Sequence, residues 1–258
     1  MSTILFEKNN QIATITLNRP DKLNAFNREM ALLLQQKLDD CAADTSVRCI
    51  VITGAGKGFC AGQDLEEVID PQGPGMQRIL SEQFNPVILK IRGMKKPVIA
   101  AVNGVAAGAG ANIAICCDIV LAAQAASFIQ AFSRIGLVPD SGGTYFLPRL
   151  IGWQKASALM MLGDKVSADE AERMGMIYRS IPDDQFYAAV QEMAARLAQM
   201  PTLALAYTKE ALQGSGTNTI AGQLQQEDKL QQQAAATEDF KEGVAAFIEK
   251  RKPLFKGK

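Results

Sequence analysis

Histidine is missing from this chain of 258 residues. Histidine is the usual acid or base of enzymes near neutral pH, so any proton transfer here has to use a carboxylate, Tyr, Lys or Cys. The five cysteines are odd in number and none stands in a C-x-x-C pair. Because histidine is absent, a Cys/His zinc site is excluded and we expect no bound metal. We also expect reduced thiols and a cytoplasmic protein.

The chain also lacks an excess of either charge and a convincing membrane segment. Lys and Arg number 27, as do Asp and Glu, and the isoelectric point is near 6.4. Nucleic-acid-binding domains are usually basic, so we expect no nucleic-acid partner. Residues 98–117 are apolar but include Asn103 and Asn112, and they fit a buried strand, a turn and a buried helix better than a membrane span. The first residues do not follow the signal-peptide pattern, and we expect no membrane association.

Apolar periodicity predicts an α/β fold. Strand patterns occupy 11–17, 49–53, 97–102 and 119–122, and helical patterns lie between them, including 28–43 and a helix that Pro86 should interrupt. The second half is helical over 185–200, 203–213, 220–236 and 238–250. No linker divides the chain, so we predict an α/β core at 1–200 and a C-terminal helical region at 201–258.

Two glycine-rich segments follow predicted strands, at 58–65 (GFCAGQDL) and 103–110 (NGVAAGAG). Such loops can present two backbone N–H donors to one oxygen, which is an oxyanion hole. Glycines that only make turns are the alternative interpretation. The pattern of a P-loop is absent, and Cys60 has no histidine partner, so we interpret it as a core residue rather than a nucleophile.

Asp140 stands in an apolar, glycine-rich bend, GLVPDSGGT at 136–144. One hypothesis is that it caps the helix that includes 145–150. The other is a general base whose pKa is raised by burial in an apolar pocket. We expect four apolar side chains to line that pocket: Phe128, Phe132, Leu137 and Val138.

Three segments, 58–65, 96–108 and 136–143, resemble the crotonase superfamily of enoyl-CoA hydratases and isomerases, and the similarity runs from 17–20 to 247–251. Within it, the chain is most similar to isomerases that rearrange ring-epoxidised phenylacetyl-CoA and shift double bonds from the 3,4 to the 2,3 position. The resemblance implies a spiral of β-β-α repeats and a C-terminal helical trimerisation region, in homotrimers or dimers of trimers.

The resemblance also implies the site. The oxyanion donors would be the backbone N–H groups of Gln63 and Ala109. Coenzyme A, as part of the substrate and not a separate cofactor, would lie along Lys22, Leu23, Ala25, Ala61, Asp64 and Leu65. Phe247 and Lys250 would reach it, often from a neighbouring subunit.

Two departures from the family pattern bear on the reaction. Hydratases carry two glutamates that activate water, and here those positions hold Asn112 and Phe132. The related dehalogenases need a histidine base. We therefore predict an acyl-CoA isomerase in which Asp140 shuttles a proton on a thioester enolate. The alternatives are an enoyl-CoA hydratase (a lyase of β-oxidation) and a catalytically weak homologue that binds CoA or RNA.

Overall fold

The computed structural model describes residues 2–258. Its strands are β1 (Ile4–Asn9), β2 (Ile12–Leu17), β3 (Cys49–Gly54), β4 (Gly58–Cys60), β5 (Val98–Val102), β6 (Val105–Ala107), β7 (Ile119–Ala123), β8 (Ser127–Ile129), β9 (Lys165–Ser167) and β10 (Arg179–Ile181). Its α-helices are α1 (Arg28–Ala43), α2 (Leu65–Ile69), α3 (Gly75–Arg78), α4 (Asn85–Gly93), α5 (Ala109–Cys116), α6 (Gly143–Ile151), α7 (Trp153–Leu162), α8 (Ala168–Arg173), α9 (Phe186–Ala198), α10 (Thr202–Gly214), α11 (Ile220–Ala235) and α12 (Glu238–Ile248).

Six strands form the main sheet in the order β1-β2-β3-β5-β7-β10. Strand β1 is antiparallel to β2, and the other neighbours are parallel. Every residue of β3 and β5 is buried, as expected for central parallel strands that are covered on both faces. The four predicted strands are all present, and each differs from its predicted bounds by one residue at one end.

A second, smaller sheet has the order β4-β6-β8-β9. It arises because β3, β5 and β7 each continue, after a short turn, into a strand of this sheet, and helices then lead to the next repeat. These β-β-α repeats confirm the predicted crotonase-like spiral. They also place the turns that follow β4 and β6 side by side, since β4 and β6 are parallel neighbours.

Local signals account for several helix ends. Asn27 caps α1, its side-chain oxygen accepting from the N–H of Met30 at 3.0 Å. Pro86 lies in the first turn of α4, where its missing N–H is tolerated, and the predicted interruption is a π-helical segment just before it, Ile79–Phe84. Ser167 caps α8, its hydroxyl accepting from the N–H of Glu170 at 3.3 Å.

The C-terminal helices extend from Thr202, and the tail after them returns to the core at the amino end of β3. The Arg48 guanidinium there donates to the carbonyl oxygens of Met200 at 2.6 Å and Phe255 at 2.8 Å. The division of the chain near residue 200 stays a prediction. Among helices within residues 2–258, none has the length and apolar character that crossing a membrane would need.

Candidate active site

The two predicted glycine loops meet with their backbones in contact. A Cβ added to Gly62 would lie 2.9 Å from the Ala107 carbonyl oxygen and 3.5 Å from the Ala109 nitrogen. Gly62 also has a φ of +95°, which side chains disfavour. A Cβ at Gly110 would lie 2.4 Å from the Cys60 carbonyl oxygen. Only glycine permits this approach, so both positions are required to bring the loops together.

The backbone N–H groups of Gln63 and Ala109 remain available in this junction. The residues on either side of Gln63 are both hydrogen-bonded to the backbone of Phe26. Phe26 N–H donates to the Gly62 oxygen at 2.7 Å, and Asp64 N–H donates to the Phe26 oxygen at 2.8 Å. In a parallel bridge the N–H of Gln63 itself then points to the opposite side. Ala109 is the first residue of α5, where N–H groups lack an intrahelical partner. Within residues 2–258 neither N–H donates to a protein acceptor.

The Asp140 side chain does not cap α6. That helix begins at Gly143 after Gly142, whose φ is +74°, and no side chain bonds to its first turn. The carboxylate instead accepts from the Ser141 hydroxyl at 2.9 Å. The main-chain oxygen of Asp140 accepts from Gly143 N–H at 2.9 Å and from Asn112 Nδ2 at 2.8 Å. The helix-cap hypothesis is therefore wrong, and the carboxylate is free of a structural role in α6.

Burial raises the pKa of Asp140 above its ordinary value of 3.8, and the hydrogen bond from Ser141 acts in the opposite direction. No ion pair reaches Asp140 from elsewhere in residues 2–258. A carboxyl group that is desolvated without a cation retains protons more readily, which makes it a stronger base when ionised. This is the direction that the base hypothesis requires.

Of the four apolar side chains that we expected to line a pocket around Asp140, only two are buried in the single chain. Phe128 and Phe132 are buried, and the Phe132 ring lies 3.7 Å from the position that a Cβ of Gly108 would take, over the turn of the second loop. Leu137 and Val138 are exposed, by 39% and 78%. The sequence pattern of apolar residues around Asp140 does not distinguish a pocket wall from a surface that another subunit can cover.

The two positions that the resemblance matches to the glutamates of hydratases supply no carboxylate here. Asn112 is fully buried, and its Oδ1 accepts from Gln130 Nε2 at 2.8 Å. Phe132 offers only a ring. Sequence reasoning treated Asn112 as a departure from a pattern and did not identify Gln130 or Ser141. Ser141 could have been suspected because it adjoins Asp140, whereas Gln130 had no signal, since its role depends on a contact with Asn112 that only the fold creates.

Cys60 is a core residue, as predicted. It is fully buried, and burial raises the pKa of its thiol to about 12. A thiol with such a pKa is not a nucleophile at neutral pH. Within residues 2–258, no group of three or more Cys, Asp or Glu side chains is arranged to hold a metal ion.

Six of the residues implied for CoA binding lie together beside Gln63: Lys22, Leu23, Ala25, Ala61, Asp64 and Leu65. The turn at Lys22 packs on the first loop, since Ala61 N–H donates to the Leu23 oxygen at 2.9 Å. Leu23 and Leu65 expose apolar surface, 40% and 51%. The Asp64 carboxylate pairs with Arg19 at 2.7 Å and caps α2, so it supports the loop by these contacts.

Phe247 and Lys250 are not brought to this cluster. Phe247 is on α12 and 86% exposed, and Lys250 follows the helix. The tail beyond them is bound by Arg48 at the amino end of β3, whereas the loops lie beyond the carboxyl ends of β3 and β5. A strand of this length spans roughly 20 Å at about 3.3 Å per residue. Within one chain, the two parts of the predicted binding site are therefore separate.

Comparison with known proteins agrees with this architecture. The family model for enoyl-CoA hydratase/isomerase matches residues 7–258. The chain is 44% identical over its full length, and that of the relative, to a 1,2-epoxyphenylacetyl-CoA isomerase of Escherichia coli. It is 43% identical to a probable enoyl-CoA hydratase of Rhodobacter capsulatus, covering 99% of this chain and 98% of that one.

Solved structures give the same result. A putative enoyl-CoA hydratase/isomerase from Mycobacterium abscessus superposes with a TM-score of 0.93 at 36% identity, covering 99% of this chain and all of that one. A putative enoyl-CoA hydratase from Streptomyces coelicolor gives 0.93 at 38% identity, covering 99% and 94%. The resemblance predicted from the glycine loops is confirmed, and this chain belongs to the enoyl-CoA hydratase/isomerase family of enzymes, within the crotonase superfamily.

Proposed function

We propose that this enzyme is an acyl-CoA isomerase in which Asp140 moves a proton on a thioester enolate. The observation that supports this best is the composition of the site. It combines two unpaired N–H donors with one desolvated carboxylate, while Asn112 and Phe132 occupy the two positions where a hydratase has glutamates. The N–H groups of Gln63 and Ala109 would bind the thioester oxygen, and the dipole of α5 adds to that attraction.

The reaction with a 3-enoyl thioester would proceed in two steps. The ionised Asp140 carboxylate takes a proton from C2, and the electrons of that C–H bond move onto the thioester oxygen as an enolate. The enolate then collapses to restore the carbonyl, the C3=C4 bond shifts to C2=C3, and C4 takes the proton back from Asp140. One carboxyl group is base and acid in turn, so no second acid is required.

Hydration requires more than this site contains. Water must be activated and its proton passed to carbon, which uses carboxylates at two positions in hydratases of the family. The Asn112 amide is engaged with Asp140 and Gln130, and Phe132 has no polar group. The names of relatives do not decide between the reactions, since an isomerase and a probable hydratase are almost equally similar to this chain.

For the substrate, we propose a CoA thioester of a ring-epoxidised or 3-unsaturated acyl group. The similarity to a 1,2-epoxyphenylacetyl-CoA isomerase supports the first acyl type. The cluster from Lys22 to Leu65 would hold the CoA portion, with Lys22 near its phosphates. Coenzyme A arrives as part of the substrate, and the reaction uses no separate cofactor.

For the assembly, we propose a trimer or a dimer of trimers in the cytoplasm. Large apolar side chains of α7 are exposed in the single chain: Trp153 by 75%, Met161 by 74% and Leu162 by 63%. Burying such a surface between subunits is favourable. It would also let Phe247 and Lys250 serve the CoA site of a neighbour. Sedimentation should give three or six subunits, and a stable, active monomer would contradict this.

A substrate panel tests the function. The enzyme should isomerise 3-enoyl-CoA or ring-epoxide thioesters faster than it hydrates 2-enoyl-CoA, and it should exchange the C2 proton of a thioester with deuterium from solvent. If hydration of 2-enoyl-CoA is the faster reaction, the hydratase alternative is correct. If no thioester reacts and no C2 exchange occurs, the catalytically weak homologue is the better description.

A further inference from the structure

The Asn112 side chain links the two halves of the proposed site. It belongs to α5, three residues after Ala109, and so lies on the same side of that helix. Its Nδ2 donates to the main-chain oxygen of Asp140 at 2.8 Å. Its Oδ1 accepts from Gln130 Nε2, also at 2.8 Å. One fully buried amide thus joins the helix that carries an oxyanion donor to the bend that carries the base.

The orientation of this amide follows from its partners. The Asp140 carbonyl oxygen can only accept, so the NH2 group of Asn112 must face it, and the Gln130 NH2 group must then serve the remaining oxygen. The amide also has no room to turn. A Cβ placed on Gly143 would lie only 2.4–2.7 Å from the Asn112 amide atoms. The link is therefore both directed and rigid.

The bend needs such a link because its backbone is strained. Ser141 has a φ of +49° and Gly142 of +74°, so two consecutive residues occupy the left-handed region. For a residue other than glycine this conformation costs on the order of 1–3 kcal/mol and persists only where surrounding contacts hold it. The Asp140 carbonyl has two such contacts, Asn112 Nδ2 and Gly143 N–H.

The geometry points to Asn112 as a positioning residue, supported by Gln130, that sets Asp140 relative to the N–H of Ala109. This inference rests on the proposed function and adds to it. Asn112 does not touch the reacting atoms; it acts through Asp140. The position that carries a catalytic glutamate in hydratases would here hold the single base in place.

The decisive experiment is a double-mutant cycle with Asn112→Ala and Asp140→Asn. Alone, Asn112→Ala should lower kcat by on the order of 10²-fold, as expected for a base displaced by about 1 Å, with KM unchanged. In the Asp140→Asn background the same change should lower the residual rate no further, because Asn112 acts only through Asp140. An equal loss in both backgrounds, or a loss that appears only in KM, would overturn the inference.

Two further variants keep the test valid if Asn112→Ala folds poorly. Gln130→Leu leaves Asn112 in place but removes its donor, and it should lower kcat in the same way by a smaller factor. Thr202→Val is the control for lost stability, since it removes a buried hydrogen bond from Arg48 Nε (2.9 Å) at the far end of the sheet. It should lower the melting temperature and leave kcat unchanged. A Gln130→Leu enzyme with parental kcat would also overturn the inference.

Failure of this inference is distinguishable from failure of the proposed function. If the parent enzyme shows no isomerisation and no C2 proton exchange, the function is wrong whatever Asn112 does. If the parent is active and Asp140→Asn abolishes exchange while Asn112→Ala and Gln130→Leu do not affect it, the function stands and the positioning role is wrong.

Discussion

The polar groups at the two ends of the main sheet differ in their hydrogen bonding: those at one end are paired within the protein, and most of those at the other end are not. At the amino end of β3, the buried Arg48 guanidinium is bonded to Thr202, Met200 and Phe255. Nearby, the Asp239 carboxylate accepts from two N–H groups of the tail, at 2.6 and 2.8 Å. Beyond the carboxyl ends of β3 and β5, by contrast, the N–H groups of Gln63 and Ala109 have no protein acceptor within residues 2–258. The desolvated Asp140 carboxylate beside them pairs with no cation there and accepts from the neighbouring Ser141 hydroxyl.

Buried polar groups are normally paired because an unpaired one costs about 1–3 kcal/mol. The paired end is therefore explained by folding alone: it attaches the C-terminal tail to the core. At the unpaired end, a bound ligand would satisfy the free N–H donors. Four predictions test whether the two ends differ in this way, one structural and the other functional.

Asp140→Asn should have the largest effect. The amide keeps the size of the side chain but cannot take a proton from carbon, so isomerisation should fall by about 10²–10⁴-fold, the usual contribution of a general base. C2 deuterium exchange should stop, and CoA-ester affinity should change little because binding depends on the loops. A variant that isomerises at the parental rate would refute the mechanism.

Ala109→Pro should have the next largest effect. Proline removes the N–H that would bind the thioester oxygen, and proline is tolerated at the first position of a helix. Loss of one oxyanion donor typically lowers kcat by about 10²–10³-fold. Circular dichroism should show the fold retained. The matched control is Ile220→Pro, at the first position of α11 and 77% exposed, which should leave kcat unchanged.

Arg48→Met should have the opposite profile, a loss of stability without loss of chemistry. It removes a buried donor that serves three acceptors, of which the Thr202 hydroxyl is buried, and the expected destabilisation is about 2–4 kcal/mol. Denaturant unfolding measures this, and kcat of the folded enzyme should equal that of the parent. If kcat instead falls as far as in Asp140→Asn, the two ends of the sheet are not functionally distinct.

The smallest effect should be that of pH, which changes activity and stability through the protonation of Asp140. Because burial raises the pKa of Asp140 above 3.8, activity should fall on the acid side with an apparent pKa above that value. The folded state then binds the proton more tightly than the unfolded state, so this group stabilises the fold less as pH rises through the interval between the two pKa values. Asp140→Asn should therefore raise the melting temperature at pH 7, and the gain should vanish below pH 3.8. A lower melting temperature at pH 7 would contradict the desolvated carboxylate.

Local signals predicted the elements well because they depend on neighbours in the chain. The helix at 28–43 has the predicted bounds, since its apolar spacing lies within that segment and the Asn27 cap directly precedes it. The alternative hypothesis, that Asp140 caps a helix, was wrong because it relied on the local pattern alone. An acid before a helix usually caps it, but Gly142 takes the cap position, and only the three-dimensional bend shows that the carboxylate turns away.

By itself, the sequence determined the family, the α/β spiral and the set of residues able to carry out chemistry in a chain without histidine. The family and the spiral follow from the resemblance of segments 58–65, 96–108 and 136–143 to the crotonase superfamily, and the set of reactive residues follows from composition. Only the tertiary structure decided which polar groups stay unpaired, that Asn112 and Gln130 support the Asp140 bend, and that Phe247 and Lys250 lie away from the loops of their own chain. The reason is physical: burial, pairing and backbone strain arise from contacts between residues far apart in sequence, and no local pattern encodes them.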